Sequence, residues 1–149
     1  MCALIVAERM VKQFMQGKNI TLGICGGISA YKSALLVREI VKAGGSVKVV
    51  MTKNACEFVA PLTFQTLSNN PVFTDTFSLI KEHDIAHISL AQFADVMVIA
   101  PATANVIGKI ANGIADDLLT SVVMATKAPV IICPAMNENM YNNLSLIHI

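Results

Sequence analysis

Apolar positions in this chain come as short continuous runs separated by amphipathic or polar stretches. Residues 20–25 form the first run, which stops at Gly26-Gly27. Residues 28–43 then read as a helix: Ala30, Ala34, Val37 and Val41 share one face, with Lys32, Arg38, Glu39 and Lys42 elsewhere. Gly44-Gly45 ends it. Residues 46–51 are a second, valine-rich run. Residues 54–68 predict a helix interrupted at Pro61, and Asn69-Asn70-Pro71 predicts a turn. A short helix is predicted over 87–94, a third strand over 96–100 ending at Pro101, and a fourth over 130–133 ending at Pro134. Between those last two strands, residues 103–111 and 116–126 read as helices divided by Asn112-Gly113. Unbroken apolar strands alternating with helices signal a parallel sheet covered on both faces. The predicted fold is a three-layer α/β domain, a Rossmann-like or flavodoxin-like open sheet with helices on both faces. Runs 47–51, 96–100 and 130–133 are expected to be buried on both sides. Residues 1–18 form a lead-in, 19–143 the domain, and 144–149 an atypical tail.

Composition narrows the class. Hydrophobic residues make up 54% of the 149 positions and charged residues only 14%, against about 25% charged in ordinary globular chains. Such a chain is not disordered. A net charge of +1 lacks the clustered cationic excess that nucleic-acid phosphates require, so no nucleic-acid partner is expected. The longest apolar stretches, such as 96–102, fall far short of the roughly 20 residues that span a bilayer. No membrane association is expected. The first ten residues have no basic n-region, and Glu8-Arg9 cuts their apolar run, unlike a signal peptide. Cys2, Cys25, Cys56 and Cys133 are widely spaced with no CxxC, which predicts a reducing cytoplasm and no metal site. The low charge points instead to doubly covered strands and a buried interface between subunits.

In an open α/β sheet, ligands bind beyond the carboxyl ends of the strands. The segments there are Gly26-Gly27-Ile28-Ser29, Thr52-Lys53-Asn54, Pro101-Ala102-Thr103-Ala104-Asn105 and Pro134-Ala135-Met136-Asn137. None contains a carboxylate before Glu138, so the rim is expected to suit a neutral or anionic ligand. The first segment is neither GxGxxG nor a P-loop. It reads either as a phosphate cradle at a helix start or as a tight strand-to-helix turn. His83 and His87 are four residues apart, but no third metal ligand accompanies them. His83 sits among charges and reads as a surface residue. His87, near apolar Ile88 and Leu90, reads equally as an acid–base group or as a partly buried side chain. Asn137 fits carboxylate recognition without adding charge, or plain turn chemistry. No Ser-His-Asp order or GxSxG supports a hydrolase.

Four stretches taken together carry a resemblance. GICGGISAYKSALLVREIVKAG, VKVVMTKNACEFVAPLTFQTLSNNPV, HISLAQFADVMVIAPATANVIGKIANGIADDLLT and PVIICPAMNENMY resemble the homo-oligomeric flavin-containing cysteine decarboxylases, above all the branch that acts in coenzyme A biosynthesis. The likeness covers about residues 19–143, and HISLA, PATAN, ANGIADDLL and PAMN in this order are far more specific than the glycine loop. It implies FMN bound between subunits of a trimer, with trimers assembling into dodecamers. Gly27, Ile28 and Ser29 would hold the FMN phosphate. Thr52 would lie near the flavin, as would Thr103, Ala104, Asn105 and Val106, with Ala135 beside them. His87 would be the active-site histidine, and Asn137 would bind the substrate carboxylate.

The implied reaction decarboxylates 4'-phosphopantothenoylcysteine to 4'-phosphopantetheine. The cysteinyl moiety is oxidised to a thioaldehyde that serves as the electron sink for CO₂ loss, and the resulting enethiol is then reduced. FMN carries this redox chemistry while the protein orients and polarises. A phosphopantothenate–cysteine ligase domain is the expected partner in the full-length protein, in the cytoplasm. The family's proton-donating cysteine and substrate flap lie beyond PAMN, where this sequence runs into Leu144-Ser145-Leu146-Ile147-His148-Ile149. The chain is therefore expected to be a truncated domain that stalls at the enethiol. Alternatives implied by the same likeness are a peptidyl-cysteine decarboxylase and a non-catalytic flavin-binding or regulatory subunit.

Overall fold

The computed structural model describes residues 14–76 and 86–149. The lead-in up to residue 13, and His83 with it, lie outside the described residues.

Strand β1 (Asn19–Ile24) forms the centre of the sheet because its side chains are apolar or small on both faces, and only Asn19 escapes full burial. It is followed by α1 (Ala30–Lys42), β2 (Ser46–Met51), α2 (Lys53–Cys56), α3 (Pro61–Ser68) and β3 (Val72–Phe73). After residues 77–85 come α4 (Ala86–Phe93), β4 (Val96–Ala102), α5 (Ala104–Ala111), α6 (Leu118–Ala125) and β5 (Val130–Pro134). Two short helices, α7 (Glu138–Tyr141) and α8 (Leu144–Ile147), close the chain. The strand order is β3-β2-β1-β4-β5, and every pairing is parallel. The chain winds outward from β1 through β2 to β3, then crosses back to β4 beside β1 and on to β5. The switch point of this doubly wound sheet therefore lies between β1 and β4.

Alternation along the central strands feeds two cores. Ile20, Leu22 and Ile24 join Val47, Val49 and Met51 against Ala30, Val37, Ile40 and Phe64 of α1 and α3. Val50, Met97 and Ile99 pack against Leu90, Leu118, Leu119 and Val122 of α4 and α6 on the opposite face. Gly23 lets α6 approach β1: a Cβ there would fall 2.5 Å from Leu119 Cδ1. Burying a side chain such as Leu22 stabilises the fold by about 1.5–3 kcal/mol.

Three expectations need correction. The buried stripe of α1 is Ala30, Ser33, Val37 and Ile40, while Val41 is exposed, because the helix is rotated to bring Ser33 inward. The fifth strand, β3, was not foreseen. It has only two residues, placed beside β2 by a turn in which Asn69 adopts φ 55° and Asn70 Nδ2 donates to Val47 O at 3.0 Å. Finally, β5 is fully buried on neither face: as the sheet's edge strand it leaves all five residues exposed, with Val130 at 36% and Ile131 at 51%. Among the described residues, no helix is long and apolar enough to cross a membrane.

Candidate functional site

The loops at the carboxyl ends of the strands are tied into one band by backbone hydrogen bonds. Thr52 N donates to Ile24 O at 3.0 Å, Cys25 N to Pro101 O at 3.1 Å, and Ala135 N to Ala102 O at 2.9 Å. The Ala100-Pro101 peptide is cis. Ser33, almost fully buried one turn into α1, donates its hydroxyl to Ala100 O at 2.7 Å and fastens that helix to the end of β4. Gly26 completes the junction between the first two loops. A Cβ at this position would fall 2.5 Å from Asn54 Cβ and 2.8 Å from its carbonyl carbon, so no larger residue fits without moving backbone.

This band walls a cavity of about 380 Å³. Gly26, Thr52, Lys53 and Asn54 form one side, and Thr103, Ala104, Asn105, Val106, Lys109 and Asp117 the other, with Met140 at its margin. Five of the expected site residues (Thr52, Thr103, Ala104, Asn105 and Val106) thus meet here. Val106 is buried and also belongs to the core, which places the first turn of α5 firmly against the sheet. A neighbouring cavity of about 560 Å³ shares Thr52, Lys53 and Asp117 and extends past Cys56 and Glu57 to Thr74 and Thr76.

Helix starts around this edge fall into two kinds. Thr52 caps α2 by accepting from Ala55 N at 3.3 Å. Asp117 caps α6 by accepting from Thr120 N at 2.8 Å, with the Thr120 hydroxyl returning toward Asp117 N in a capping box. Ser29 and Thr103 also stand at N-cap positions, of α1 and α5, yet neither side chain bonds its helix. Both residue types are good caps, worth about 1 kcal/mol when they serve. The positive ends of α1 and α5 thus lack a side-chain acceptor at the switch point, where an external anion gains most. A Cβ built on Gly27 meets nothing within 4 Å, so the loop in front of α1 is open.

The rim is not free of carboxylates, contrary to the expectation from the strand-end segments. The α5–α6 connection folds back over the strand ends and brings Asp117 into the wall. Lys109 Nζ meets Asp116 Oδ1 at 2.7 Å and Asp117 Oδ2 at 3.4 Å. The hydrogen bond from Lys109 holds the Asp116 carboxyl below its ordinary range, and the same bond raises Lys109. Burial pushes the Cys25 thiol up, partly offset by hydrogen bonding with Thr103. Lys109 and Asp117 were missed as wall residues. An aspartate three positions before Thr120 is an N-cap signal that marks a helix start, and α6 must start at this edge because it leads into parallel β5.

The other expected site residues stand apart from the cavity lining. Gly27, Ile28 and Ser29 follow Gly26 at its edge, with Ile28 80% exposed. Ala135 is half-buried and bonded to the end of β4. Asn137 is exposed, and its Oδ1 caps α7 by accepting from Asn139 N at 2.9 Å. His87 lies in the first turn of α4, which runs antiparallel to the strands because it leads directly into β4. Its turn therefore points toward the same edge, but His87 lines neither strand-end cavity. Its Nδ1 is buried with no hydrogen-bond partner among the described residues.

Comparisons with known proteins agree with this geometry. The coenzyme A biosynthesis bifunctional protein CoaBC of Bacillus subtilis (strain 168) is 53% identical over 129 residues, covering 87% of this chain and 32% of that protein. CoaBC of Vibrio cholerae serotype O1 is 49% identical over 133 residues, covering 89% and 33%. The chain spans about a third of the length of these curated relatives. Among solved structures, the FMN-dependent cysteine decarboxylase SpaF superposes with a TM-score of 0.84 at 32% identity, covering 90% of this chain and 77% of that one. A PPC decarboxylase mutant complexed with pantothenoylaminoethenethiol gives 0.75 at 30% identity, covering 89% and 75%. The sequence model described as Flavoprotein matches residues 8–146. A match over nearly the whole length, on a sheet whose switch point opens into a cavity, establishes that the chain belongs to the Flavoprotein family.

Proposed function

We propose that this chain is the FMN-dependent decarboxylase unit of a protein that converts 4'-phosphopantothenoylcysteine to 4'-phosphopantetheine in cytoplasmic coenzyme A biosynthesis, and that on its own it carries the substrate through loss of CO₂ to the enethiol. The observation that carries the reading is the pair of uncapped helix starts, Ser29 and Thr103, beside an open glycine loop at the switch point. Such a site suits the phosphate and polar ring edges of FMN. Gly27, Ile28 and Ser29 would hold the phosphate, with Thr52, Thr103, Ala104, Asn105, Val106 and Ala135 along the flavin. FMN, when bound, supplies the reversible two-electron acceptor that this redox-neutral decarboxylation needs.

The protein's own groups do the rest. His87 assists proton removal from the cysteinyl moiety, and Asn137 binds its carboxylate through an amide that adds no charge. Neither lines the cavity of its own chain, which favours a site completed between copies in a trimer, or in a dodecamer built from trimers. The exposed Tyr31 and Leu35 of α1, with Ile28 in the loop just before it, offer an apolar outer surface for such packing. Residues 19–143 would be the decarboxylase unit, and a phosphopantothenate–cysteine ligase domain its partner in the full-length protein.

The TM-score of 0.84 to the FMN-dependent cysteine decarboxylase SpaF does not separate a peptidyl-cysteine substrate from the small one, whereas the 53% identity to a CoaBC protein favours the small substrate. Incubating the FMN-loaded chain with 4'-phosphopantothenoylcysteine, and separately with a peptide ending in cysteine, tests the choice by mass spectrometry. The expected result is CO₂ loss from the first substrate only, abolished by His87→Asn. CO₂ loss from the peptide alone would overturn it.

A further inference from the structure

Lys109 pairs with two carboxylates, Asp116 and Asp117, and its surroundings are unusual for a cofactor wall. A phosphate-bearing ligand entering the cavity meets the carboxylate of Asp117 in the wall, with that of Asp116 next to it. Two anions beside an anion site oppose binding unless they are compensated. Lys109 is the compensating group: it bonds Asp116 at 2.7 Å and reaches Asp117 at 3.4 Å while itself lining the same cavity. Its backbone carbonyl also accepts from Ile114 N at 2.9 Å, so side chain and backbone together hold the 112–117 connection in place.

The two aspartates do different work. Asp117 Oδ1 is committed to the α6 cap, accepting from Thr120 N and from the Thr120 hydroxyl, both at 2.8 Å. Its Oδ2 faces Lys109. Asp116 is more exposed and takes the shorter bond. The Lys109 ammonium is thereby held by carboxylates and not presented as a free phosphate ligand.

We propose that Lys109 is a positioning and charge-compensating residue of the flavin cavity: it offsets one of the two negative charges of the Asp116–Asp117 wall so that the phosphate of the cofactor is admitted. This rests on the FMN reading above. Its consequence is selectivity between two flavins that share a ring and differ in the phosphate. With Lys109 removed, the net negative charge of the wall rises from one to two, a change that FMN senses and riboflavin does not.

The test titrates the 149-residue chain with FMN and with riboflavin, following quenching of flavin fluorescence. Lys109→Met is expected to weaken FMN binding about tenfold and riboflavin binding by less than about threefold, the gap narrowing as salt is raised. Lys109→Arg is expected to restore FMN binding. Lys109→Met/Asp117→Asn, which removes one carboxylate yet keeps a good N-cap residue, is expected to bring the FMN-to-riboflavin ratio back within about twofold of the parent. A purely structural lysine would weaken both flavins in parallel and would not be rescued by Asp117→Asn; that pattern, or an unchanged ratio in Lys109→Met, overturns the proposal. A parent chain that binds neither flavin overturns the functional reading and this inference together, whereas a parent that binds FMN with an unchanged ratio in the variant overturns only the inference.

Discussion

Thr52 and Asp117 close the helices they precede, while Ser29 and Thr103, in equivalent N-cap positions at the same edge of the sheet, leave theirs open. All four are residue types suited to capping, so propensity does not explain the difference. Position does. The two working caps belong to helices beside the crevice, and the two idle ones to the helices that leave β1 and β4, the strands that flank the switch point. The open starts flank the switch point, where an external anion gains most, whereas the two capped starts line the cavity with a side-chain acceptor already in place.

The sharpest way to break that contrast is to deform the wall between the two kinds. Gly26→Val would drive a side chain into the Asn54 backbone. It is expected to destabilise the chain by about 3 kcal/mol in urea denaturation and to abolish FMN binding. Next come the working caps. Asp117→Ala loses the capping box and is expected to lower stability by about 1–2 kcal/mol, and Thr52→Ala by about 1 kcal/mol, with Asp117→Asn retaining most of the parent's stability. The idle cap should behave in the opposite way. Ser29→Ala is expected to leave the denaturation midpoint within about 0.5 kcal/mol of the parent, yet to weaken FMN binding about tenfold, since hydrogen bonds to charged groups are the stronger ones. A Ser29→Ala variant that unfolds as readily as Thr52→Ala would erase the distinction.

The smallest effect is expected from pH. Asp116 has its carboxyl lowered by the bond from Lys109, so the folded state binds its proton less readily than the unfolded chain. The contribution of this pair is therefore present above the ordinary aspartate range and is lost as pH falls through the lowered folded value. Lys109 is raised, so its contribution is present below the ordinary lysine range and is lost as pH rises through the raised value. Both groups are solvent-accessible, which screens the interaction. Asp116→Asn is expected to lower stability slightly at neutral pH and leave it unchanged at strongly acidic pH, which flattens the acid limb of a stability–pH profile.

Much of the architecture was legible in the sequence because unbroken apolar runs ending at Gly or Pro mark parallel strands well. β2 matches its predicted bounds, and β4 only extends further, through Pro101 to Ala102. Short or edge elements were not legible. β3 is set by a turn and by Asn70 reaching Val47, contacts that leave no periodic trace in two residues. Strand β5 is as apolar as β4 but only partly covered, with Val130 and Ile132 still more than a third exposed, since hydrophobicity states what a strand can bury and not what covers it. Residues that follow strands directly were legible as cavity lining, among them Thr52 and Thr103. Lys109 and Asp117 were missed because they reach the crevice by the fold-back between α5 and α6, a tertiary consequence absent from strand-end spacing. The same limit applies to His87: its helix is legible, but what its buried Nδ1 meets is not a local property.

Equilibrium binding of FMN to the purified 149-residue chain tests the central claim most directly. The account predicts a yellow protein that retains one flavin per chain, with affinity reduced by Ser29→Ala at unchanged stability. A chain that remains colourless after FMN is added, with flavin fluorescence unquenched, would contradict it.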